Sequence, residues 1–363
     1  MRKLSKHNTP LCFLSSEKLV CYKLGNLVVL ENDQTVEKYQ LFNSKKERLC
    51  GRFNILHRLL RLGIRAAEAL DENHILLSIG NVIYEYDFSK RSLSNGFFIG
   101  DGIRPLIFTK VENIKGFDNC VVFGGYLGNR NKRPVNIYKR IDTDKWDVIY
   151  TFAEGAINHV HNIVADPYRN CLWVFTGDFD EAAAIWKITD NFQKVERIAC
   201  NNQQFRGCVV FPVKEGLLYA TDAPFAKNFI YLMNTETLEL KKIASIDGSC
   251  IYGCQCGDKI VLSSTVEPDG RDSSLWKLLT SRKRGAGITD MYVHLYCGNL
   301  EEGFKEIYKE KKDLWTYLFQ FGVFRFPYGK NESHKLYFQP VATNKNDMNL
   351  LVYDLSDEVK KIV

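Results

Sequence analysis

The chain repeats one order of short apolar runs, and this order constrains the fold more than any other feature of the sequence. Each repeat opens on a small or polar residue beside a charged or aromatic one, as in "GIRPLIFT" and "INHVHNIV". A more apolar run such as "CLWVFTGD" follows, then a third such as "AAIWKITD" and a charged fourth such as "KVERIA". Runs of this length, rich in Val, Ile, Tyr and Phe and bounded by Gly, Asn and Asp, are typical of β-strands. The sequence therefore predicts repeated units of four strands.

The clearest internal match joins residues 135–152, "VNIYKRIDTDKWDVIYTF", to residues 293–310, "VHLYCGNLEEGFKEIYKE". An aliphatic–Tyr pair, one aromatic residue and a later Ile–Tyr pair align between them without a gap. Counting the N-terminal stretch as one further unit gives seven units of roughly 40–60 residues, the spacing of propeller blades. We predict an all-β fold, a single β-propeller domain over residues 1–363 with seven four-stranded blades; six blades is the alternative count.

Two segments depart from the repeat. Residues 269–289, "DGRDSSLWKLLTSRKRGAGIT", interrupt a late unit, and Asp272 or Ser273 could cap a short helix there. We interpret this insertion as a lid-like segment near the channel. Residues 52–63, "RFNILHRLLRLG", are basic and apolar at helical spacing, which predicts a helix that leads into the second blade.

Composition limits the classes of partner. The chain is 45% hydrophobic and 25% charged, which is typical of a globular protein with a large core. Its 49 basic and 43 acidic residues give a net charge of +6, and the only dense basic run is "SRKRGAG" at residues 281–287. A nucleic-acid surface needs a broader basic stripe. We therefore predict no nucleic-acid partner, whereas an anionic small ligand or acidic sugar is compatible with this charge.

Hydropathy and cysteine usage predict the compartment. No apolar run approaches the roughly 18 residues of a membrane helix, and the N-terminus lacks the apolar segment of a signal peptide. The 11 cysteines are an odd number and lie mostly within apolar runs. Buried free thiols in a reducing compartment fit this pattern better than a disulfide framework does. We predict no membrane span and a cytoplasmic location.

Blade topology brings distant residues together. In each blade the chain enters the first strand from one face and returns to that face between the second and third strands. First-strand starts and second-strand ends therefore gather at one mouth of the channel. The residues that we assign to this mouth from their positions are Arg65, Arg104, Tyr126, Arg133, His159, His161, Asp178, Glu181, Arg206, Asp222 and Glu267.

The acids and histidines at this mouth suit acid–base chemistry. Glycoside cleavage commonly uses two carboxyl groups, one protonated and one ionised, and Asp178, Glu181 and Glu267 are the candidates. At positions i and i+2 of a strand, His159 and His161 point to one face, where they could orient the ligand or share proton transfer. Asp178 could instead be a turn residue that caps its own backbone, and both histidines could be structural.

The arginines have two interpretations. Arg65, Arg104, Arg133 and Arg206 could hold the carboxylate of an anionic sugar, because guanidinium groups bind carboxylates in a bidentate manner. They could instead form an internal network with the carboxylates at the mouth. In the first interpretation the substrate-binding set also includes Asp222 and Tyr126.

Part of the chain resembles the sialidase-like, BNR-repeat β-propellers, including members associated with bacterial surface-polysaccharide gene clusters. The resemblance rests on "RPVNIYKRIDTDKWDVIYTF", "HVHNIVADPYRNCLWVFTGD", "QQFRGCVVF", "TDAP" and "STVEP", within residues 100–270. The family's Asp-box pattern is present in degraded form as "RIDTDKW" and "ITDNF". The resemblance implies an acidic glycan as ligand and glycosidase chemistry, although no position here matches the family's tyrosine–glutamate pair.

A second resemblance is to the intracellular seven-bladed lyases of uronic-acid oligosaccharides, in which histidines and a glutamine hold a divalent metal. It implies that His159, His161 and Gln204 would be the ligands if a metal were bound. We expect cleavage of a glycosidic bond in an acidic oligosaccharide or polysaccharide, without a cofactor. A metal-assisted uronate lyase and a non-catalytic propeller that binds a glycan or a protein are the alternatives. The non-catalytic alternative predicts that every carboxylate at the mouth pairs with an arginine.

Overall fold

A computed structural model describes residues 1–42, 45–269 and 274–356. It is a seven-bladed β-propeller, so the predicted fold class and blade number are confirmed. Every blade is an antiparallel sheet whose strands follow one another along the chain from the channel outwards, except in the blade that closes the ring.

The first blade begins at residue 9, and the second and third follow it along the chain. The first contains β2 (Thr9–Phe13), β3 (Lys18–Lys23), β4 (Asn26–Glu31) and β5 (Gln34–Gln40). The second contains β6 (Ala66–Ala69), β7 (His74–Ile79) and β8 (Val82–Asp87), and its outer edge is divided between β9 (Ser92–Leu93) and β10 (Phe97–Phe98). The third contains β11 (Thr109–Val111), β12 (Cys120–Gly124), β13 (Val135–Asp142) and β14 (Lys145–Phe152).

The next three blades carry most of the predicted site residues. The fourth contains β15 (His159–Asp166), β16 (Cys171–Gly177), β17 (Ala184–Thr189) and β18 (Lys194–Ala199). The fifth contains β19 (Gly207–Val213), β20 (Gly216–Thr221), β21 (Asn228–Met233) and β22 (Leu240–Ile246). The sixth contains β23 (Cys250–Cys256), β24 (Lys259–Ser264), β25 (Tyr292–Asn299) and β26 (Gly303–Lys311).

The seventh blade joins the two ends of the described chain. It contains β27 (Val323–Arg325), β28 (Lys335–Val341) and β29 (Asn349–Asp354), and its outer strand is the N-terminal β1 (Arg2–Lys6). β1 and β29 are antiparallel, with Arg2 opposite Val352 and Lys6 opposite Asn349. The repeat did not predict this strand, because "RKLSK" lacks the apolar alternation of the other runs.

Apolar side chains between neighbouring blades form the core. For example, the rings of Phe152 in the third blade and Trp186 in the fourth lie 5.0 Å apart, in one cluster with Val122 and Val174. Strands that are covered by a blade on each side are apolar on both faces, which explains continuous runs such as "CLWVF". Burial of each such large side chain contributes about 2 kcal/mol to the free energy of unfolding.

Helices are short and few in the described part of the chain. The three α-helices are α1 (Lys45–Cys50), α2 (Asn54–Leu59) and α3 (Leu275–Thr280), and single 3₁₀ turns occur at Asp180–Ala182, Gln203–Phe205 and Tyr317–Phe319. α2 confirms the helix predicted before the second blade. In the insertion, α3 is capped by Ser274, whose hydroxyl accepts from the Lys277 N–H. The predicted caps Asp272 and Ser273 lie outside the described residues. No described helix has the length and apolar character needed to span a membrane.

Candidate functional site

First-strand starts and second-strand ends meet at one face, which we call the mouth face. The backbones of Arg104 and Tyr126 exchange two hydrogen bonds, at 3.0 and 2.9 Å. The Asp222 N–H likewise donates to the Arg206 carbonyl at 2.9 Å. Each contact joins the start of a first strand to the end of the second strand in the same blade, as the blade topology requires.

The mouth face contains a cavity of about 360 Å³ in the central channel. Its walls include aromatic side chains such as Tyr252 and Tyr328 beside many charged groups. His159 lies directly behind the wall, with its ring centroid 4.2 Å from that of Tyr126. Eight residues predicted from the sequence line the cavity: Arg65, Arg104, Tyr126, His161, Asp178, Arg206, Asp222 and Glu267.

Two histidines and one aspartate form a tight group on the fourth blade. His159 Nε2 lies 3.1 Å from His161 Nε2, and Asp178 Oδ1 lies 3.3 and 3.2 Å from these two nitrogens. The pairing of β15 with β16 is irregular between Val160 and Asn162, where His161 lies. His159 Nδ1 donates to the Leu127 carbonyl at 2.9 Å, so its Nε2 presents a lone pair when the ring is neutral. Burial lowers the pKa of His161.

Arg206 connects this group to the fifth blade. Its Nη2 lies 3.0 Å from Asp178 Oδ1 and 3.2 Å from Asp222 Oδ2. Burial alone would raise the pKa of Asp178, but Arg206 and the two histidines outweigh it and hold the pKa well below its usual range. Asp178 is therefore ionised at neutral pH. A quarter of its side chain, 26%, remains exposed.

The pKa of Glu267 is raised, whereas that of Asp178 is lowered. Glu267 is buried and accepts a hydrogen bond from the Thr265 hydroxyl at 2.8 Å. Burial and the nearby Asp222 charge raise the pKa of Glu267 to about 7. It forms no ion pair within the described part of the chain, so the pattern expected of a non-catalytic mouth, with every carboxylate paired to an arginine, is not observed.

Another part of the cavity lining is cationic. Arg61, Arg65, Arg104 and Arg325 line it, and none of them pairs with a carboxylate of the described residues. Arg65 Nη2 donates to the Arg61 carbonyl at 3.0 Å, and Arg325 Nη2 donates to Gln320 Oε1 at 3.0 Å. Arg104 lies over the Tyr126 ring at 5.1 Å. Burial and the charges of Arg325, Arg104 and Arg61 lower the pKa of Arg65 to about 10, so like charges crowd this wall.

Two residues predicted for the mouth, Glu181 and Arg133, lie elsewhere, and so does Gln204, the third ligand expected if a metal were bound. Glu181 is exposed in the 3₁₀ turn Asp180–Ala182, which carries it away from the cavity. Arg133 is exposed in the loop after β12, where its N–H donates to the Asn129 side chain. Gln204 donates to the Tyr231 hydroxyl at 3.0 Å in a separate shallow pocket on the outer part of the fifth blade. Position at a strand end does not specify these side-chain directions, so their predicted placement was wrong.

Sequence reasoning missed two of the cavity's arginines. Arg61 follows α2, in a connection outside the repeat. Arg325 ends the short first strand of the seventh blade, in the run "QFGVFRFP". A charged residue inside that otherwise apolar run is the signal that could have identified Arg325.

The histidine–aspartate group partly fits a metal ion. Tetrahedral ligands with metal–ligand bonds near 2.0 Å are separated by about 3.3 Å, close to the three separations here. Gln204 is too far away to be a ligand, and Asp178 takes the third position instead. Two observations weigh against a resident metal. His161 Nδ1 is buried without a hydrogen-bond partner, and Arg206 forms an ion pair with the same Asp178 oxygen that would bind the ion.

Comparisons with known proteins support the fold. No protein-family model matches the chain. No curated protein sequence matches it either. Among solved structures, the chain is similar to the Cps50 (Swd1) β-propeller domain of Myceliophteria thermophila, with a TM-score of 0.55 and 8% identity over 98% of this chain and 97% of that one. The AfRom2 CNH domain gives a TM-score of 0.53 and 8% identity, over 96% and 94%. A chain of the mitotic checkpoint complex gives 0.54 and 9%, over 95% and 89%.

Together, the fold and the cavity define the class of protein to which the chain belongs. The chain is a seven-bladed β-propeller with a charged cavity at one mouth of its channel. At such low identity, the likeness to solved structures shows the fold alone.

Proposed function

We propose that the protein binds an acidic carbohydrate in this cavity and cleaves one of its glycosidic bonds. The observation that carries the proposal is the group of four arginines that have no carboxylate partner among the described residues and that line the same cavity as Glu267 and Asp178. An anion that binds among clustered guanidinium groups is held strongly, because it supplies their missing counter-charge and relieves their mutual repulsion.

The size and lining of the cavity suit a sugar. Its volume of about 360 Å³ lies within the range of small-molecule sites. Tyr126, Tyr252 and Tyr328 supply flat apolar surface beside the charged groups. The resemblance to sialidase-like propellers favours the same ligand class. The free cysteine thiols support a reducing compartment, and we propose a cytoplasmic location.

Glu267 and Asp178 differ in a way that assigns their roles. A carboxyl group whose pKa is raised to about 7 is partly protonated at neutral pH and can donate its proton to the leaving oxygen. Asp178 stays ionised and can assist the attacking water or stabilise positive charge on the sugar ring. His161 Nε2, 3.2 Å from Asp178 Oδ1, can donate to this oxygen and so orient the carboxylate, and His159 lies against His161.

Incubation with a panel of acidic oligosaccharides, followed by mass spectrometry, tests the proposal. We expect products that have gained water, and we expect Glu267→Gln and Asp178→Asn each to slow their formation by roughly 10²–10⁴-fold. Glu181→Gln is the matched control, since Glu181 is an exposed acid close in sequence that lies outside the cavity. Saturable binding without turnover of any substrate would instead make the protein a recognition module.

A second candidate function is metal-assisted β-elimination on a uronate, and the spacing of the His159, His161 and Asp178 atoms favours it. An added metal would withdraw charge from the carboxylate, while a protein base removes the proton next to it. Elimination creates an unsaturated product that absorbs in the ultraviolet, without gain of water. Loss of that product after chelation, and its return with added Mn²⁺ or Zn²⁺, would replace the hydrolase proposal with this one.

A further inference from the structure

Three connections between strands cover part of the mouth face beside the cavity. Residues 45–61 belong to the connection between the first and second blades, and residues 311–319 comprise the last residue of β26 and the start of the connection to the seventh blade. Residues 274–284 belong to the insertion between β24 and β25. Blade topology places all three at the face where first strands begin. We call residues 45–61, 274–284 and 311–319 the platform.

Large apolar side chains are exposed on the platform far more than elsewhere. Ten of the 17 exposed large hydrophobic residues of the described chain lie within these three segments. Trp276 is 73% exposed, Leu314 is 74% exposed and Phe53 is 63% exposed, and Leu49, Leu275 and Trp315 are exposed as well. A concentration of this kind marks an interaction surface, whereas single exposed apolar residues are ordinary.

The platform is a fixed surface. α2 and α3 both pack against the 3₁₀ turn Tyr317–Phe319 that lies between them. The buried Arg58 of α2 donates to Asp313 at 2.6 Å and to Asp347 at 3.4 Å, which holds the helix against the sixth and seventh blades. The Tyr317 hydroxyl donates to the Arg282 carbonyl at 3.3 Å and so connects the insertion to the same support.

The exposed charge of the platform is basic. Lys45, Arg48, Arg52, Arg282, Lys283 and Arg284 are all exposed. No carboxylate of these three segments is exposed, since Glu47 is half-buried and Asp313 is buried against Arg58 and Lys312. Basic side chains around exposed Trp, Phe and Leu are the composition of a helix that lies in the interface of an anionic membrane.

We propose that the platform docks the protein on an anionic lipid surface, with the mouth face towards the membrane. Tryptophan and leucine side chains would enter the headgroup region, and the lysines and arginines would contact lipid phosphates. A nucleic acid would match the charge but would leave the apolar side chains in contact with its polar backbone. The proposal does not depend on the chemistry assigned to the cavity.

Co-sedimentation with lipid vesicles tests whether the platform docks on an anionic lipid surface. We expect the protein to sediment with vesicles of equal parts phosphatidylcholine and phosphatidylglycerol, and to remain in solution with phosphatidylcholine alone. Each basic residue at the surface contributes about fivefold to partitioning, so R282E/K283E should weaken binding at least about 25-fold, and high salt should do the same. W276D should weaken it about tenfold. Tryptophan fluorescence should shift to shorter wavelength on binding, because Trp276 and Trp315 leave water.

Matched controls lie on the opposite face. Tyr168 is an exposed aromatic residue in the turn between β15 and β16, and Lys115 is an exposed base in the turn between β11 and β12. Y168D and K115E should bind vesicles as the unchanged protein does, and all variants should keep its circular dichroism and melting temperature. Equal sedimentation with both kinds of vesicle, or equal loss in Y168D and W276D, would overturn the proposal. Absence of vesicle binding together with self-association that W276D abolishes would assign the platform to contacts between copies of the chain.

Discussion

Arg206 Nη2 lies 3.0 Å from Asp178 Oδ1, and the same nitrogen reaches Asp222 Oδ2 at 3.2 Å, so one buried guanidinium compensates two carboxylates. The pKa of Arg206 is raised, because the two carboxylates outweigh the effect of burial. The acidic side of the cavity therefore depends on this residue for its structure as well as for its charge.

Replacement of Arg206 by methionine should destabilise the protein strongly. The change leaves two carboxylates close together without their partner, and loss of one member of a buried pair costs about 3–5 kcal/mol. Urea unfolding at neutral pH measures the effect. Arg133→Met, at an exposed arginine outside the cavity, should change the free energy of unfolding by less than about 0.5 kcal/mol. A similar small effect at Arg206 would show that the ion pairs do not stabilise the fold.

Activity on the substrate should fall as pH rises through the pKa of Glu267. The proposed proton donor must be protonated, and its pKa is raised to about 7. Glu267→Gln should lower kcat by roughly 10²–10⁴-fold and remove this basic limb of the pH profile. Measurement of kcat/KM against pH for both proteins checks this. A basic limb that persists in Glu267→Gln with the same midpoint would assign the limb to another group.

Stability should also depend on pH through Glu68, which lies on the first strand of the second blade. Burial and the charge of Glu112 outweigh Lys110 and raise the pKa of Glu68 to about 8. The native state then binds this proton more tightly than the unfolded chain, so the stabilisation is complete below about pH 4 and is lost as pH rises through about 8. Glu68→Gln should make the free energy of unfolding less dependent on pH.

Urea titrations between about pH 5 and pH 9 measure that dependence. At the alkaline end, Glu68→Gln should be more stable than the unchanged protein by about 1–3 kcal/mol, because it no longer buries a charge. Glu72→Gln, at an exposed acid in the following turn, is the control and should leave the slope unchanged. Parallel curves for Glu68→Gln and the unchanged protein would contradict the predicted linkage.

Arg65→Met should have opposite effects on stability and binding. Removal of one of four crowded positive charges should stabilise the ligand-free protein slightly, by about 1 kcal/mol or less. It should also weaken binding of glucuronate about 10–100-fold, because a hydrogen bond to a charged group contributes about 1.5–3 kcal/mol. Calorimetry and thermal melts with and without glucuronate separate the two effects. Unchanged affinity would remove Arg65 from the anion site.

The repeat predicted most of the fold because blade strands carry a strong local signal. The matched segments 135–152 and 293–310 occupy equivalent third and fourth strands, β13–β14 and β25–β26. The repeat did not predict β1, because this strand lies at an exposed edge and buries no apolar face. Its sequence, "RKLSK", therefore lacks the apolar alternation of the other strands. Its pairing partner lies more than 340 residues away, and short-range patterns carry no information about such a contact.

The cavity was predictable only as far as topology determines it. Backbone positions at strand ends brought Arg206, Asp178 and Glu267 to one mouth. The direction of a side chain after a strand depends on the local turn, which is why Glu181 points to solvent although it lies three residues beyond Asp178. Arg61 comes from a helical connection that the repeat does not describe.

The pairing of β1 with β29 has a consequence for synthesis of the chain. β1 cannot take its final place until β29 has also been synthesised, so six blades are available to fold while the ring is still open. During that interval the edge of the seventh blade and the N-terminal segment both lack partners. A bulky group fused directly before β1 would hinder this pairing, whereas an insertion in the exposed turn between two strands of one blade would leave it intact.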